Sequence, residues 1–325
     1  MAKAVRIHQT GGPEVLSVET IDVPQPGAHE ILIRQRAIGI NYIDIYHRTG
    51  LYKLLGYPIG LGLEAAGTVE QLGAQVTHFK AGDRVAYCGG PVGAYGEYRA
   101  IAAKHVVKLP ESISFEQAAA VMVKGLTAHY LLYKTFAVQR GDRVLIHAAA
   151  GGVGLMACQM AKHLGATVIG TVGNAEKAAL AKENSCDFPI LYTRENVVEK
   201  VREYSEGKGV DVVYDSVGKT TFMDSLDCLK KFGMMVSFGQ SSGAIPPLDI
   251  SILSQKGSLY LTRPTLMTYI EEYEAYAAAA RELFDLIERQ VIHIRIGGLY
   301  HLDEVRQAHI DLESRKTMGA LVLTV

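Results

Sequence analysis

The run Ala149-Ala150-Gly151-Gly152-Val153-Gly154 sits between an apolar segment at 143–147 (RVLIH) and a stretch with helical spacing at 153–164. A glycine-rich turn leading from a strand into a helix is suited to seating a dinucleotide. A small residue at the tight turn lets the chain reverse, Gly151 lets the backbone approach a pyrophosphate, and Gly154 lets the helix close onto the strand. The helix N-terminus then offers unpaired N–H groups and a partial positive charge to the phosphates. Ala149 takes the place of the first glycine in the usual G-x-G-x-x-G. The specificity of the signal therefore comes from the flanking strand and helix rather than from the bare motif.

The end of the next strand distinguishes the two nicotinamide cofactors. NAD sites place an Asp or Glu about 20 residues beyond the loop to hold the ribose hydroxyls. Here the text is Gly170-Thr171-Val172-Gly173-Asn174, without a carboxylate. Glu176 falls close by, but on a helix, where it can face solvent; Lys177 lies one turn on, Tyr192 closes the third strand and Arg315 lies in the tail. A 2′-phosphate calls for cationic donors and is repelled by a carboxylate, so NADPH is the expected cofactor.

Other reactive side chains offer little. Eleven histidines include no His-Glu-x-x-His or similar spacing, and His129 and His147 lie in apolar stretches that suit hydrogen-bonded structural histidines. The four cysteines (Cys88, Cys158, Cys186, Cys228) contain no Cys-x-x-Cys pair, which argues for reduced, packed thiols rather than disulfides or a thiolate zinc site. No metal is expected.

These residues need elements to hold them, and the chain has two textures that change near residue 125. Before it, short β-rich runs at 30–36, 67–71, 83–87 and 105–109 alternate with Gly and Pro, as in a compact, largely antiparallel barrel or sandwich. After it, strands at 143–147, 167–172, 188–192, 210–215, 234–238 and 258–262 alternate with helices at 153–164, 175–184, 195–205 and 220–230. That alternation specifies an α/β, doubly wound parallel sheet with helices on both faces. A long amphipathic helix at 271–290 and a last strand at 320–325 break the series, so the tail is expected to return to the first domain.

The bulk properties agree with a globular protein of about two domains. The 325 residues are 48% hydrophobic and 21% charged, with a formal charge of −1 and no basic stripe for nucleic acid. No apolar run approaches the roughly 20 residues that span a bilayer. The N-terminus lacks the zones of a signal peptide, so a cytoplasmic location without a membrane partner is expected.

The segment 141–162 (GDRVLIHAAAGGVGLMACQMAK) resembles the signature of the zinc-independent quinone oxidoreductase and zeta-crystallin group of the medium-chain dehydrogenase/reductase superfamily. The resemblance extends over essentially the whole chain. It includes 11–16 (GGPEVL), 37–44 (AIGINYID), 124–128 (KGLTA), 213–218 (VYDSVG) and 237–243 (SFGQSSG), and it is strongest toward bacterial NADPH:quinone reductases. It implies a GroES-like domain (1–124 with 266–325), a Rossmann domain (125–265), a cleft between them, and a homodimer joined through the last Rossmann strand. By the same resemblance the 2′-phosphate contacts fall on Lys177, Tyr192 and Arg315. Further cofactor contacts fall on Thr127, Gly151, Gly152, Val153, Gly173, Ser216, Phe238, Gly239 and Ser241. The nicotinamide end falls near Asn41, Tyr46, Tyr52 and Arg263. Zinc-dependent members of the superfamily carry Gly-His-Glu where this chain has Gly62-Leu63-Glu64, and leucine cannot ligate zinc.

Without zinc, the fitting chemistry is hydride transfer from NADPH to a small molecule that already carries its own electron sink, such as a quinone. The protein then contributes orientation, exclusion of water and hydrogen bonds to the developing oxyanion. Asn41, Tyr46, Tyr52 and Arg263 can supply donors or flat surfaces for this, with none assigned as an obligate acid. Asp44 reads as a residue that orients neighbours or caps a helix. Two alternatives stay open: reduction of activated alkenes (enones, enals) with the same hydride, and a non-catalytic NADPH-binding role of crystallin-like or RNA-binding type.

Overall fold

A computed structural model describes residues 1–325. It divides into two compact units: Met1–Lys124 with Glu272–Glu288 and Ile294–Val325, and Gly125–Glu271 with Arg289–His293.

The first unit is mostly antiparallel. Strands β1 (Ala2–Ile7), β2 (Ser17–Ile21) and β4 (Ile59–Gly60) form a three-stranded sheet in the order β2-β1-β4. The larger sheet contains β3 (Glu30–Ile40), β5 (Glu64–Leu72), β6 (Arg84–Cys88), β7 (Tyr98–Ala102) and β8 (Val106–Lys108). The tail completes it with β15 (Ile296–His301) and β16 (Ala320–Thr324), in the order β15-β16-β3-β5-β6-β8. As expected, the C-terminal strand returns to this unit: β16 pairs antiparallel with β3, Leu323 opposite Ile38. Strand β3 runs four residues past the expected 36 because two register shifts, at Leu32/Ile33 and Gln35/Ala37, break the alternation of side chains. Ile31, Ile33, Ile38 and Ile40 therefore all reach the core beside Val5, Val85 and Tyr87.

Helix α1 (Tyr42–Thr49) follows β3 directly and was not apparent from composition. Its entry is set by Asp44, whose Oδ2 accepts from the Asn41 backbone N–H at 2.8 Å, and it ends on Gly50 with a left-handed φ of 81°. Helix α2 (Phe115–Tyr130) begins in this unit and continues into the second.

The second unit is a six-stranded parallel sheet, β11-β10-β9-β12-β13-β14. Its strands are β9 (Arg143–Ile146), β10 (Thr167–Val172), β11 (Phe188–Leu191), β12 (Val210–Asp215), β13 (Leu229–Ser237) and β14 (Tyr260–Thr262). Helices α3 (Gly152–His163), α4 (Ala175–Glu183), α5 (Val197–Tyr204) and α6 (Phe222–Cys228) join them, followed by α7 (Ser251–Gln255) and α8 (Leu266–Tyr269). This is the doubly wound arrangement expected, with Leu145, Ile169, Ile190, Val213 and Met235 filling its core. Strand order reverses between β9 and β12, which puts a crevice at their carboxyl ends.

Helices α9 (Tyr273–Glu288) and α10 (Val305–Glu313) belong to the first unit. The expected boundary at 265/266 lies instead at 271/272. The reason is aromatic packing: Tyr269 stacks on Tyr130 with ring centroids 4.4 Å apart and accepts or donates a 2.9 Å bond with Thr135 Oγ1.

Candidate active site

In the second unit, most of the residues expected to contact the cofactor lie beyond the carboxyl ends of the strands. Strand β9 leads through Ala148, held at φ 54°, into Gly151 at the N-cap of α3. Gly151 has no side chain to cap the helix, and no acidic residue stands in its first turn. The N–H groups at the start of α3, around Gly152 and Val153, are thus available to an anion. A Cβ on Gly154 would sit 2.3 Å from the Ala148 carbonyl oxygen, so only glycine lets α3 approach the turn this closely. Ala149 is tolerated where a glycine is usual because the left-handed residue is Ala148, while Ala149 donates its N–H to Thr171 O at 3.0 Å.

Thr171 turns its hydroxyl inward, 3.0 Å from His147 Nδ1. His147 Nε2 in turn meets Ser225 Oγ at 3.0 Å, and Ser225 donates to Asp215 Oδ2 at 3.1 Å. Asp215 also accepts from the N–H groups of Val217 (2.7 Å) and Gly218 (3.0 Å), which fixes the loop carrying Ser216. Burial holds the His147 imidazole below its ordinary pKa, so it serves this network as a neutral relay. His129, stacked on Tyr133 at 4.7 Å, is likewise a packed histidine, as the sequence suggested.

Beyond β10, Gly173 meets Tyr192, and Lys177 stands in the first turn of α4 that follows. A Cβ on Gly173 would lie 2.9 Å from the Tyr192 hydroxyl, so the missing side chain leaves a shallow cradle beneath that ring. Asn174 caps α4 by accepting from the Lys177 N–H at 2.8 Å. Partial burial draws the Lys177 ammonium below its usual pKa. Glu176 faces solvent. After β13, Phe238 and Gly239 donate to Asp215 O at 2.8 and 3.3 Å, and Ser241 donates to Ser216 O at 3.2 Å. Arg263, just past β14, caps this edge by donating to Ser237 O (2.9 Å) and Gly239 O (3.0 Å). Thr127 is a buried member of α2, and Arg315 lies in the first unit with a φ of 59°.

In the first unit, Asn41 is 6% exposed and stands at the N-cap of α1. Its Nδ2 donates to Glu64 Oε1 at 2.7 Å, and its Oδ1 accepts from Lys124 Nζ at 2.8 Å. Tyr46 forms an aromatic group with Tyr42 (centroids 5.6 Å apart) and Tyr52 (5.1 Å), and the Tyr52 N–H donates to Tyr46 O at 3.0 Å. Asp44 has the orienting role expected of it. Besides the Asn41 N–H it accepts from the Tyr95 hydroxyl at 2.8 Å, while its other oxygen has no partner. Burial raises its pKa to about 7 against the pull of those two donors.

That contact continues into a buried relay that sequence reasoning missed. Arg48 Nη1 lies 3.0 Å from His309 Nδ1, His309 Nε2 lies 3.1 Å from Tyr95 OH, and Arg48 forks onto Glu313 at 2.8 and 2.9 Å. Arginine only donates, so His309 Nδ1 must accept, Nε2 carries the proton and Tyr95 passes its own hydrogen to Asp44. Burial, with Arg48 adding to it, pushes the His309 pKa down to about 3, in accord with that neutral tautomer. The relay ties α10 to α1. No sequence spacing reveals it, because Arg48 and His309 are 261 residues apart.

Leu63 is buried, and Glu64 beside it is 0% exposed. The Glu64 carboxylate accepts from Asn41, from Lys124 Nζ at 3.0 Å and from the Val123 N–H at 2.5 Å.

Comparison with known proteins agrees with this arrangement. Residues 27–111 match the alcohol dehydrogenase GroES-like domain, and residues 152–284 match the zinc-binding dehydrogenase family. A quinone oxidoreductase of Pseudomonas aeruginosa is 52% identical over 323 residues, 99% of each chain. The chain belongs to the quinone oxidoreductase family. Its first unit is accordingly the GroES-like domain and its second the Rossmann domain of the medium-chain dehydrogenase/reductase superfamily. A crystal structure of Escherichia coli quinone oxidoreductase complexed with NADPH covers 100% of both chains with a TM-score of 0.98 at 49% identity. A 2-haloacrylate reductase from Burkholderia is 42% identical over 99% of each chain.

Proposed function

We propose that this family member is an NADPH-dependent quinone oxidoreductase that works without zinc. The observation that carries the reading is the strand end of β10: no carboxylate stands there, Thr171 is turned onto His147, Tyr192 lies against Gly173, and Lys177 stands in the first turn of the helix that follows. These residues fit a 2′-phosphorylated dinucleotide. The uncapped N-terminus of α3 holds the diphosphate through Gly151, Gly152 and Val153. Lys177, Tyr192 and Arg315 hold the 2′-phosphate; Thr127, Gly173, Ser216, Phe238, Gly239 and Ser241 line the remainder. NADPH supplies the hydride when bound.

The acceptor end belongs to Asn41, Tyr46, Tyr52 and Arg263. The tyrosines present flat faces that orient a planar ring and exclude water, while Asn41 and Arg263 offer N–H donors to the oxygen that gains charge. A quinone carries its own electron sink, so the chain has no need to generate one with a Lewis acid. Leu63 is no ligand, and Glu64 is committed to Lys124, Asn41 and Val123, which supports zinc-independence.

A second reading, reduction of an activated alkene, is supported by the 42% identical 2-haloacrylate reductase. The same donors would then bind the carbonyl or carboxylate conjugated to the alkene. We also infer a homodimer through β14, the edge strand of the parallel sheet, where Tyr260 and Leu261 are exposed. No helix is long and apolar enough to cross a membrane, and a cytoplasmic setting fits four buried, unpaired thiols.

The test is NADPH and NADH oxidation with a panel of quinones and a panel of enones, with and without a strong chelator. Turnover of quinones with NADPH preferred and no chelator effect is the expected result. Turnover of enones alone would sink the quinone assignment, equal use of NADH would sink the cofactor assignment, and cofactor binding without any turnover would leave only a binding role.

A further inference from the structure

We propose that the buried Glu64–Lys124 ion pair is a positioning device for Asn41, fixing which hydrogen its amide presents to the acceptor oxygen. The inference rests on the reading of Asn41 as an acceptor-binding group. An asparagine at a helix N-cap normally turns its side-chain oxygen onto the first N–H groups of the helix. Here the Asp44 N–H goes to the Asn41 carbonyl oxygen at 3.0 Å, the Asp44 carboxylate takes the Asn41 backbone N–H, and the two ends of the Asn41 amide meet Lys124 and Glu64.

Those partners leave no ambiguity about the amide's direction. An ammonium only donates, so the atom 2.8 Å from Lys124 Nζ is Oδ1; a carboxylate only accepts, so the atom 2.7 Å from Glu64 Oε1 is Nδ2. The third side of the triangle, Lys124 Nζ to Glu64 Oε1, is 3.0 Å. Glu64 is held in its turn by the Val123 N–H at 2.5 Å, one residue from Lys124, so the carboxylate and the ammonium move with the same helical turn. With one Nδ2 hydrogen given to Glu64, the amide has a single donor hydrogen left, and its direction is set by the triangle.

Stability alone does not account for the pair. Side-chain exposures of 0% for Glu64 and 8% for Lys124 place both charges out of water. Apolar residues of similar volume often serve a fold as well as a buried ion pair or better. A pair of opposite charges does something they cannot: it distinguishes the two ends of an amide that are nearly identical in shape. The triangle joins residues 23, 60 and 83 apart in sequence, from β5, the end of β3 and α2.

The experiment is a double-mutant cycle on the full chain with NADPH and whichever acceptor the wild type reduces. Lys124→Met is expected to lower kcat about 10- to 100-fold with KM changed less than about twofold, the scale of outer-shell orienting contacts. That loss should vanish in an Asn41→Ala background, because the pair acts through Asn41. Lys124→Arg, which keeps the charge and the donors, should recover part of kcat. A full loss that persists in Asn41→Ala, or an unchanged kcat in Lys124→Met, overturns the proposal. An arm independent of turnover uses side-chain amide NMR of the protein alone. The Asn41 Nδ2 hydrogens, identified by their loss in Asn41→Ala, should give two well-separated signals that collapse toward exposed-amide positions in Lys124→Met and Glu64→Gln. Unchanged signals in both variants also refute it. Should the wild type reduce neither quinone nor enone, the functional reading fails while the NMR arm still decides the positioning role.

Discussion

The relay from Asp44 to His309 makes a prediction about stability and pH that neither residue makes alone. Asp44 has its folded pKa raised from 3.8 to about 7, chiefly by burial. Between those values the folded chain keeps a proton that the unfolded chain has released, so stability falls as pH rises through the window. His309 is the mirror case, lowered from 6.5 to about 3 by burial and by Arg48. Between those values the unfolded chain holds a proton that the folded chain lacks, so stability rises with pH. Each slope is about 1.4 kcal/mol per pH unit, and the windows overlap from 3.8 to 6.5. Within the overlap the two contributions cancel in the wild type, and single substitutions expose them. Over pH 4.5 to 6.5, Asp44→Asn should gain roughly 3 kcal/mol relative to wild type as pH rises, and His309→Gln should lose roughly as much. With a urea m value of about 3 kcal/mol/M, each trend is about 1 M in the midpoint. Urea titrations of the three proteins at several pH values measure it, and a constant offset from lost hydrogen bonds does not matter because the slope is the readout. Parallel curves for all three proteins would refute the reasoning, as would slopes of the same sign for the two variants.

Two further outcomes are expected. Lys177→Ala should weaken NADPH about 10- to 100-fold, the worth of a charge-assisted phosphate contact of about 1.5–3 kcal/mol, while leaving NADH unchanged; KM values for both cofactors check it, and an equal effect on the two would place Lys177 away from the 2′-phosphate. Leu261→Arg adds a charge to the exposed edge strand β14. By light scattering the mass should then fall from a dimer to the 35.3 kDa of one chain, and an unchanged mass would rule out that edge as the interface.

The local signals that survived folding are those in which chemistry and backbone coincide over a few residues. The loop from Ala149 to Gly154, the carboxylate-free end of β10 and the Gly62-Leu63-Glu64 run each lie within one short segment. Six parallel strands could be located because each has a short apolar centre, although their ends moved by a residue or more at several places, as at β13. The first unit was less legible. Register shifts in β3 hid its last four residues, and α1 is short and amphipathic, its entry fixed by the Asp44 carboxylate on the Asn41 backbone N–H.

Sequence alone determined a glycine-rich turn from strand to helix and a leucine beside Glu64, because both depend on which side chains a short stretch of backbone carries. Tertiary structure decided the company those residues keep. Asn41, Glu64 and Lys124 acquire a common purpose only when β3, β5 and α2 bring them within 3.0 Å. Asp44, Tyr95, His309 and Arg48 become a directional relay only when α10 returns against α1. Burial gives such contacts their force, and burial is a property of the folded chain: the same carboxylate in water would titrate at its ordinary value and orient nothing.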